Sequence, residues 1–243
     1  MTKVALVTGG VRGLGLSMAM DLAENGWQVY ATYKHDRSEY ELGNSPEHEN
    51  IFKIKCDIGN SHEVEQLKEL VIEKYGYIDA LVNNAGINHR ESIWEITEAS
   101  WDSILNTNLK YQFFFTRNLW DLVKLSRLKR IVFISSAAGQ YHGPKTLHYA
   151  VAKAGLISMT KVMARYGAED GIFVNAIAPG IIETDQTKEE FASGAADEII
   201  KSTTLLGRQG YPHDVSSALK FLLDEQQTYM TGQVLSLSGG AIL

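Results

Sequence analysis

Short apolar runs alternate with helix-length amphipathic stretches along the whole 243-residue chain. The runs with strand character are Val4–Val7, Val29–Tyr33, Ile51–Ile54, Ala80–Val82, Ile131–Ile134, Val174–Ile177 and Val234–Leu237. The helical patterns between them include Leu16–Asn25, Ser61–Tyr75, Thr97–Leu125, Ala150–Ala168 and Pro212–Leu223. Because parallel strands are joined by crossover helices, this order predicts a parallel sheet with helices on both faces. We predict one doubly wound α/β domain of the Rossmann type over residues 1–243, with a seven-stranded parallel sheet.

Composition narrows the classes of partner. A net charge of −6 and a pI near 5.7 argue against nucleic acid or an anionic membrane as the principal partner. The single cysteine, Cys56, excludes an internal disulfide, and we expect it to be a small hydrophobe near a strand end. No His pair has metal-site spacing, so no metal is predicted. Neither a signal peptide nor an apolar run of about 18 residues is present, so we expect a cytoplasmic protein.

Two stretches interrupt the alternation. Residues His35–Asn50 are polar and irregular, which predicts a surface loop after the second strand. Residues Ile181–Leu206 follow Pro179-Gly180 and would overhang the carboxyl ends of the strands, where such sheets bind ligands. We predict a mobile substrate lid there, with a loop of no particular function as the alternative.

A glycine-rich turn joins the first strand to the first helix. It reads Thr8-Gly9-Gly10-Val11-Arg12-Gly13-Leu14-Gly15, a G-x-x-x-G-x-G spacing. Glycines let the backbone approach a pyrophosphate, and the helix that follows offers free N–H groups to it. The placement between strand and helix makes this a predicted dinucleotide site.

The charge at the end of the second strand bears on which dinucleotide binds. NAD-binding sites place a carboxylate there, whereas this strand ends in Tyr33-Lys34 with no acid before Asp36. Arg12 and Lys34 could together hold a 2′-phosphate, although both could also be ordinary solvated cations. We therefore predict NADP(H) rather than NAD(H).

Several residues with catalytic chemistry converge on the predicted crevice. Tyr149 and Lys153 are four residues apart at the start of a helical pattern, and an adjacent ammonium favours a phenolate. Ser136 follows one predicted strand, and Asn83–Gly86 ends another. Asn108 lies within a predicted helix although asparagine is a poor helix former, which suggests that it has a specific role there.

In this order and spacing, the chain resembles the short-chain dehydrogenase/reductase family from Lys3 almost to the C-terminus. The positions that carry the resemblance are Thr8–Gly15, Asp57, Asn83–Gly86, Asn108, Ser136, Tyr149-x-x-x-Lys153, Pro179-Gly180 and Gly232 with Ser238-Gly239-Gly240. Within the family, the chain is most similar to 3-oxoacyl-[acyl-carrier-protein] reductases.

The resemblance implies catalytic roles for four residues. Tyr149 would be the acid/base, Ser136 would stabilise charge on the substrate oxygen, and Lys153 would lower the tyrosine pKa and hold the nicotinamide ribose. Asn108 would bind a water in a proton relay. The implied cofactor-binding residues are Gly9, Arg12, Gly13, Leu14, Gly15, Lys34, Asp57, Ile58, Asn84, Ala85, Gly86, Tyr149, Lys153, Pro179, Gly180, Ile182 and Thr184.

The substrate stays open at this level. The resemblance favours a 3-oxoacyl thioester, and Arg127 matches a position that docks the acidic carrier protein. A second docking arginine would fall near Asp170, where an acid would repel such a partner. Five polar residues are predicted to face the pocket: His89, Gln140, Tyr141, His142 and His148. They suggest a small polar ketone, a sugar or a secondary metabolite as the alternative, although histidines in such loops are more commonly structural. A non-catalytic NADP(H) sensor is a further alternative, which the complete catalytic set disfavours.

Association is also predicted. The stretch Trp101–Trp120 carries more aromatic surface than one side of a helix can bury against a sheet. The alternative is that all of these aromatic side chains pack in the core. In the family, this helix and the Ala150–Ala168 helix pair with partner copies. The resemblance therefore implies a homotetramer.

Overall fold

The computed structural model describes residues 2–35, 49–141, 146–184 and 200–242. Its strands are β1 (Lys3–Val7), β2 (Trp27–Tyr33), β3 (Ile51–Lys55), β4 (Ala80–Asn83), β5 (Arg130–Ile134), β6 (Phe173–Pro179) and β7 (Val234–Leu237). They form one seven-stranded sheet in the order β3-β2-β1-β4-β5-β6-β7, with every pairing parallel. The predicted strands and their parallel arrangement are confirmed.

The strand order reverses between β1 and β4. From β1 the chain adds β2 and β3 on one side, then crosses back to place β4 on the other side of β1. The loops that follow β1 and β4 therefore diverge and open a crevice at the carboxyl ends of these strands, which is where doubly wound sheets bind ligands.

Helices cover the sheet between the strands. They are α1 (Gly13–Glu24), α2 (Ser61–Lys74), α3 (Glu98–Leu105), α4 (Tyr111–Leu125), α5 (Leu147–Asp170) and α6 (Pro212–Leu223). The helix predicted over Thr97–Leu125 is confirmed, but it is not α-helical throughout. A π-helical segment, Asn106–Lys110, separates α3 from α4, and the Tyr111 N–H bonds to the carbonyl of Asn106. The sequence pattern does not reveal the extra residue of a π-helical turn, because the apolar residues on either side keep α-helical spacing.

Two apolar cores lie on opposite faces of the sheet. On one face, Leu22 of α1 and Leu219 of α6 pack against alternate strand residues such as Val7. On the other, α2, α4 and α5 pack against the intervening residues, with Phe115 and Phe133 fully buried. This division of alternate strand side chains between two helical layers confirms the predicted doubly wound architecture.

The two irregular stretches lie mostly outside the described residues. Residues 36–48 of the predicted surface loop and 185–199 of the predicted lid are among those not described. At the lid's edges, Ile182 forms a β-bridge with Gly210, and residues 200–203 are helical. The lid therefore stays a prediction. In the described ranges no helix is long and apolar enough to cross a membrane.

Candidate active site

The glycine turn after β1 is shaped by close backbone contacts. Gly9 and Gly13 have φ of 62° and 52°, a region that L side chains disfavour. Gly15 lies so close to the carbonyl of Gly9 and the amide of Asn84 that no side chain would fit. The N-terminus of α1, at Gly13 to Gly15, is thus open to a ligand that carries negative charge.

Thr8 ties this turn to the loop after β4. Its hydroxyl oxygen accepts the N–H groups of Asn84 and Ala85, both at 2.9 Å. The Asn84 side-chain amide donates in turn to the Thr8 carbonyl at 2.8 Å, and Gln112 of α4 donates to the Ala85 carbonyl at 2.7 Å. The predicted binding residues Asn84, Ala85 and Gly9 therefore line one crevice. Thr8 and Gln112 were not predicted as site residues, although Thr8 belongs to the glycine motif.

The predicted 2′-phosphate residues differ in their surroundings. Arg12 is exposed at the position before α1. Lys34, which follows β2, forms an ion pair with Asp57 at 2.8 Å, and the Gly59 N–H also donates to that carboxylate. Burial alone would raise the pKa of Asp57, but the hydrogen bonds from Lys34 and Gly59 outweigh it and lower the pKa. The Lys34 side chain stays 56% exposed, so both alternatives for it remain, and a phosphate would compete with Asp57 for it.

Tyr149 and Ser136 meet across the crevice. Ser136 follows β5 and precedes a 3₁₀ turn (Ala137–Gly139), whose Ala138 N–H donates to the serine oxygen. Burial raises the pKa of the Tyr149 hydroxyl, and a hydrogen bond with the Ser136 side chain opposes that rise. The two hydroxyls form a pair that could grip one substrate oxygen.

Lys153 lies under this pair with 3% of its surface exposed. Its Nζ donates to the Ile134 carbonyl at 2.8 Å and lies 5.5 Å from the centroid of the Tyr149 ring. Burial lowers the pKa of Lys153 to about 7. We expected the ammonium to lower the tyrosine pKa; instead, burial moves both groups toward their neutral forms because a low-dielectric site penalises either charge.

Two further contacts hold the catalytic turn of α5 against β5. The Ser135 hydroxyl donates to the Lys153 carbonyl at 2.8 Å. A side chain on Gly139 would lie 2.7 Å from the Ala154 nitrogen, so the turn after Ser136 packs directly on α5. Neither residue was predicted, because a serine and a glycine beside a motif carry no signal of long-range contact.

The π-helical segment turns Asn108 inward. Its side-chain amide donates to the carbonyls of Ile87 and Ile104 at 2.8 and 3.0 Å, and its Oδ1 accepts the Ile87 N–H at 3.2 Å. A Cβ on Gly86 would lie 2.6 Å from Asn108 Oδ1 and 3.7 Å from Lys153 Nζ. Gly86 therefore leaves the space between Asn108 and Lys153 open.

The remaining predicted binding residues border the same edge of the sheet. Ile58 is buried just after β3, while Pro179 ends β6 and the Gly180 N–H bonds to the Leu237 carbonyl at 2.9 Å. Ile182 is also buried, and Thr184 approaches the turn at Gly13, where an added Cβ would be 3.9 Å from that of Thr184.

The predicted pocket-facing residues are not all in the pocket. His148 is fully buried and bound to Glu91, so its prediction as a pocket residue is wrong. His89, Gln140 and Tyr141 are exposed. His142 lies outside the described residues. These residues were predicted to face the pocket because of the polarity of their loops, and polarity does not reveal that a side chain has a buried partner distant in sequence.

The predicted docking positions already have partners within the chain. Arg127 forms an ion pair with Glu225 at 2.9 Å. Asp170 accepts from Lys124 at 2.7 Å and from the Trp120 indole at 2.7 Å, and these bonds lower its pKa. The expected repulsion at Asp170 is thus reduced by a neighbouring cation.

Cys56 follows β3 and is buried, as predicted. Burial raises its thiol pKa to about 12, which leaves it as an unreactive thiol. Among the described residues, no three His, Cys, Asp or Glu side chains come together as a metal site.

Comparison with known proteins agrees with this geometry. Residues 9–241 match the family described as Enoyl-(Acyl carrier protein) reductase. The 3-oxoacyl-[acyl-carrier-protein] reductases FabG of Staphylococcus aureus and Thermotoga maritima are 34% and 35% identical, each alignment covering 99% of this chain and 98% of the relative.

Solved structures of ElxO are also similar. ElxO with NADP bound superposes with a TM-score of 0.92 at 31% identity, covering 99% of each chain, and so does a Tyr-to-Phe variant with NADPH bound. Full-length similarity in sequence and fold, together with the Ser136, Tyr149 and Lys153 geometry, leads to one conclusion: this chain belongs to the short-chain dehydrogenase/reductase family of oxidoreductases.

Proposed function

We propose that this protein uses NADPH to reduce a ketone to a secondary alcohol, with Tyr149 as the proton donor. The observation that carries the proposal is the convergence of Ser136 and Tyr149 beside the buried Lys153, at the crevice where the strand order reverses. A substrate carbonyl oxygen placed between the two hydroxyls could accept a hydrogen bond from each of them.

The crevice fits a dinucleotide phosphate. Gly15 packs closely on the Gly9 carbonyl, which places the start of α1 and its free N–H groups beside the glycine turn, where a pyrophosphate could bind. Arg12 and Lys34 would supply charge for a 2′-phosphate. Asp57 and Ile58 would border the adenine, while Pro179, Gly180, Ile182 and Thr184 would contact the nicotinamide half. When bound, the cofactor supplies the hydride. NADP(H) bound to ElxO supports this assignment.

Tyr149 would protonate the carbonyl oxygen while Ser136 stabilises the developing negative charge. Its raised pKa keeps the hydroxyl protonated at neutral pH, which suits a proton donor in reduction. Lys153 would hold ribose hydroxyls and, when protonated, lower the tyrosine pKa during proton transfer. Asn108 would hold a water in the space beside Gly86, next to Lys153 Nζ.

A 3-oxoacyl thioester is the substrate class that we propose first, since FabG reductases are similar over nearly the whole chain. Delivery by an acyl carrier protein would require Arg127 to leave Glu225, and no arginine stands at Asp170. This observation favours a second candidate: a thioester or small polar ketone that is not carrier-bound.

The test is NADPH oxidation with a matched substrate panel. It compares acetoacetyl groups on acyl carrier protein and on coenzyme A with small polar ketones and a crotonyl thioester, for wild type and Tyr149→Phe. Turnover of acetoacetyl thioesters that the variant loses supports the proposal. Equal kcat/KM on carrier and coenzyme A would argue against carrier recognition, and reduction of the crotonyl group alone would point to enoyl reduction instead.

We also propose that the protein is a homotetramer. Apolar residues stand exposed on the helices that the family uses for association: Leu147, Val151, Val162 and Tyr166 on α5, and Phe114 and Leu125 on α4. Residues 147, 151, 162 and 166 recur at helical spacing, so they share one face of α5. Burying such a face against partner copies removes it from water.

A further inference from the structure

We propose that His148, oriented by Glu91, is a positioning residue for the catalytic Tyr149. The proposal deepens the carbonyl-reductase function above and rests on it. His148 immediately precedes Tyr149 in α5, and its side chain is fully buried, whereas Glu91 lies in the loop after β4. The imidazole itself is fully enclosed by the protein.

Both ring nitrogens of His148 are engaged. Nδ1 accepts the backbone N–H of Tyr149 at 3.0 Å, and Nε2 lies 3.1 Å from Oε2 of Glu91. Since Nδ1 accepts, its lone pair must be available, and the ring proton belongs on Nε2, where it donates to the carboxylate. A neutral imidazole with one defined tautomer satisfies both contacts.

The bond between the Tyr149 N–H and His148 Nδ1 gives an acceptor to a backbone donor at the start of α5. Tyr149 is the third residue of α5, and the first N–H groups of a helix have no acceptor within it. His148 supplies an acceptor for the N–H of the residue whose side chain performs the chemistry.

The second contact joins the two walls of the crevice. Glu91 lies eight residues beyond Asn83, the end of β4, and forms a parallel β-bridge with Thr146, the residue before α5. The Glu91–His148 pair therefore fixes the first turn of α5 to the loop that carries Asn84 to Gly86. A misplacement of about 1 Å in a catalytic group can cost about 100-fold in rate, so such a constraint matters for Tyr149.

Three substitutions separate the two contacts. His148→Ala removes both. His148→Asn keeps an acceptor near the Tyr149 N–H but is too short to reach Glu91, while His148→Gln keeps a donor at the distance of Nε2 and loses the Nδ1 acceptor. We expect kcat to fall by about 10- to 100-fold in His148→Ala with KM for NADPH unchanged, and to recover partly in His148→Asn.

A matched control comes from His62. It is also the second residue of its helix, α2, but it is exposed and the Asn60 side chain accepts its N–H. His62→Ala and His62→Gln should leave kcat and KM at wild-type values. The deuterium isotope effect from NADPH labelled at the transferred hydrogen should rise in His148→Ala, because misplacing Tyr149 slows the chemical step and general loss of stability does not.

A readout independent of activity completes the test. The ¹⁵N shifts of His148 should show the proton on Nε2, and Glu91→Ala should speed hydrogen exchange at the Tyr149 amide. A proton on Nδ1, or wild-type kcat and isotope effect in a folded His148→Ala, would overturn the inference. Should His148→Ala fail to fold, Glu91→Ala is assayed in its place, and wild-type kcat there together with unchanged Tyr149 exchange would overturn it. An inactive wild-type protein would refute the proposed function instead. The tautomer and the exchange data would still decide whether His148 positions Tyr149.

Discussion

Lys153 Nζ lies 5.5 Å from the centroid of the Tyr149 ring and points at the Ile134 carbonyl. The lysine side chain thus lies beside the phenol ring, held by β5, the strand that Ser136 follows. Burial sets the chemistry of this pair: it lowers the Lys153 pKa to about 7 and raises that of Tyr149.

The buried lysine should make stability depend on pH. Its pKa is about 7 when folded, below the ordinary 10.5, so between these values the unfolded chain binds the additional proton. The cost of burying the charge is full below pH 7 and disappears as the pH rises toward 10. Lys153→Met should therefore raise the free energy of unfolding relative to wild type most at acid pH, by a few kcal/mol at most.

Urea titrations of wild type and Lys153→Met from pH 6 to pH 10 measure this difference. The loss of the bond to Ile134 in the variant is independent of pH, so the slope isolates the charge. A difference that stays constant over this range would contradict the lowered pKa.

The space between Asn108 and Lys153 should be sensitive to Gly86. A methyl group at Gly86 would lie 2.6 Å from Asn108 Oδ1. We expect Gly86→Ala to reduce kcat by about 10-fold or more through displaced groups. In an Asn108→Ala background the clash is absent, so Gly86→Ala should cost little further activity. Additive losses in this double-mutant cycle would show that the two residues act separately.

Cofactor preference should depend on Lys34 and Arg12. We expect Lys34→Ala to raise the dissociation constant for NADPH by about 10-fold and leave that for NADH unchanged, since only NADPH carries the 2′-phosphate. Arg12→Ala should act in the same direction and more strongly, because Lys34 also binds Asp57. Lys55→Ala, an exposed lysine at the end of β3, is the matched control. Equal weakening of both cofactors would mean that the cations do not read the phosphate.

Much of the fold could be predicted because the central strands β1, β4, β5 and β6 are buried on both faces and read as apolar runs. The π-helical segment could not, since Asn106–Lys110 adds a residue without changing the pattern on either side. Neither could the Lys34–Asp57 and His148–Glu91 contacts, which join residues distant in sequence. The site residues were located by motif order, whereas their protonation depends on burial, which only the packed structure defines.

Association should fail when charge enters the exposed face of α5. Tyr166 is 71% exposed in the single chain. We expect Tyr166→Glu to shift the tetramer to a smaller species in sedimentation, since burying an unpaired carboxylate in an apolar interface is costly. Ile72→Glu, at an exposed apolar position on α2, should leave the mass unchanged. A wild type that sediments as a monomer would refute the assembly itself.

The most direct measurement is kcat for Tyr149→Phe with saturating NADPH and an acetoacetyl thioester, together with its dissociation constant for NADPH. The variant removes one hydroxyl and keeps the ring over Lys153. We predict a loss of about 10²- to 10⁴-fold in kcat, as expected for a general acid, with NADPH affinity close to wild type. Turnover within a few-fold of wild type would contradict the assignment of Tyr149 as the proton donor.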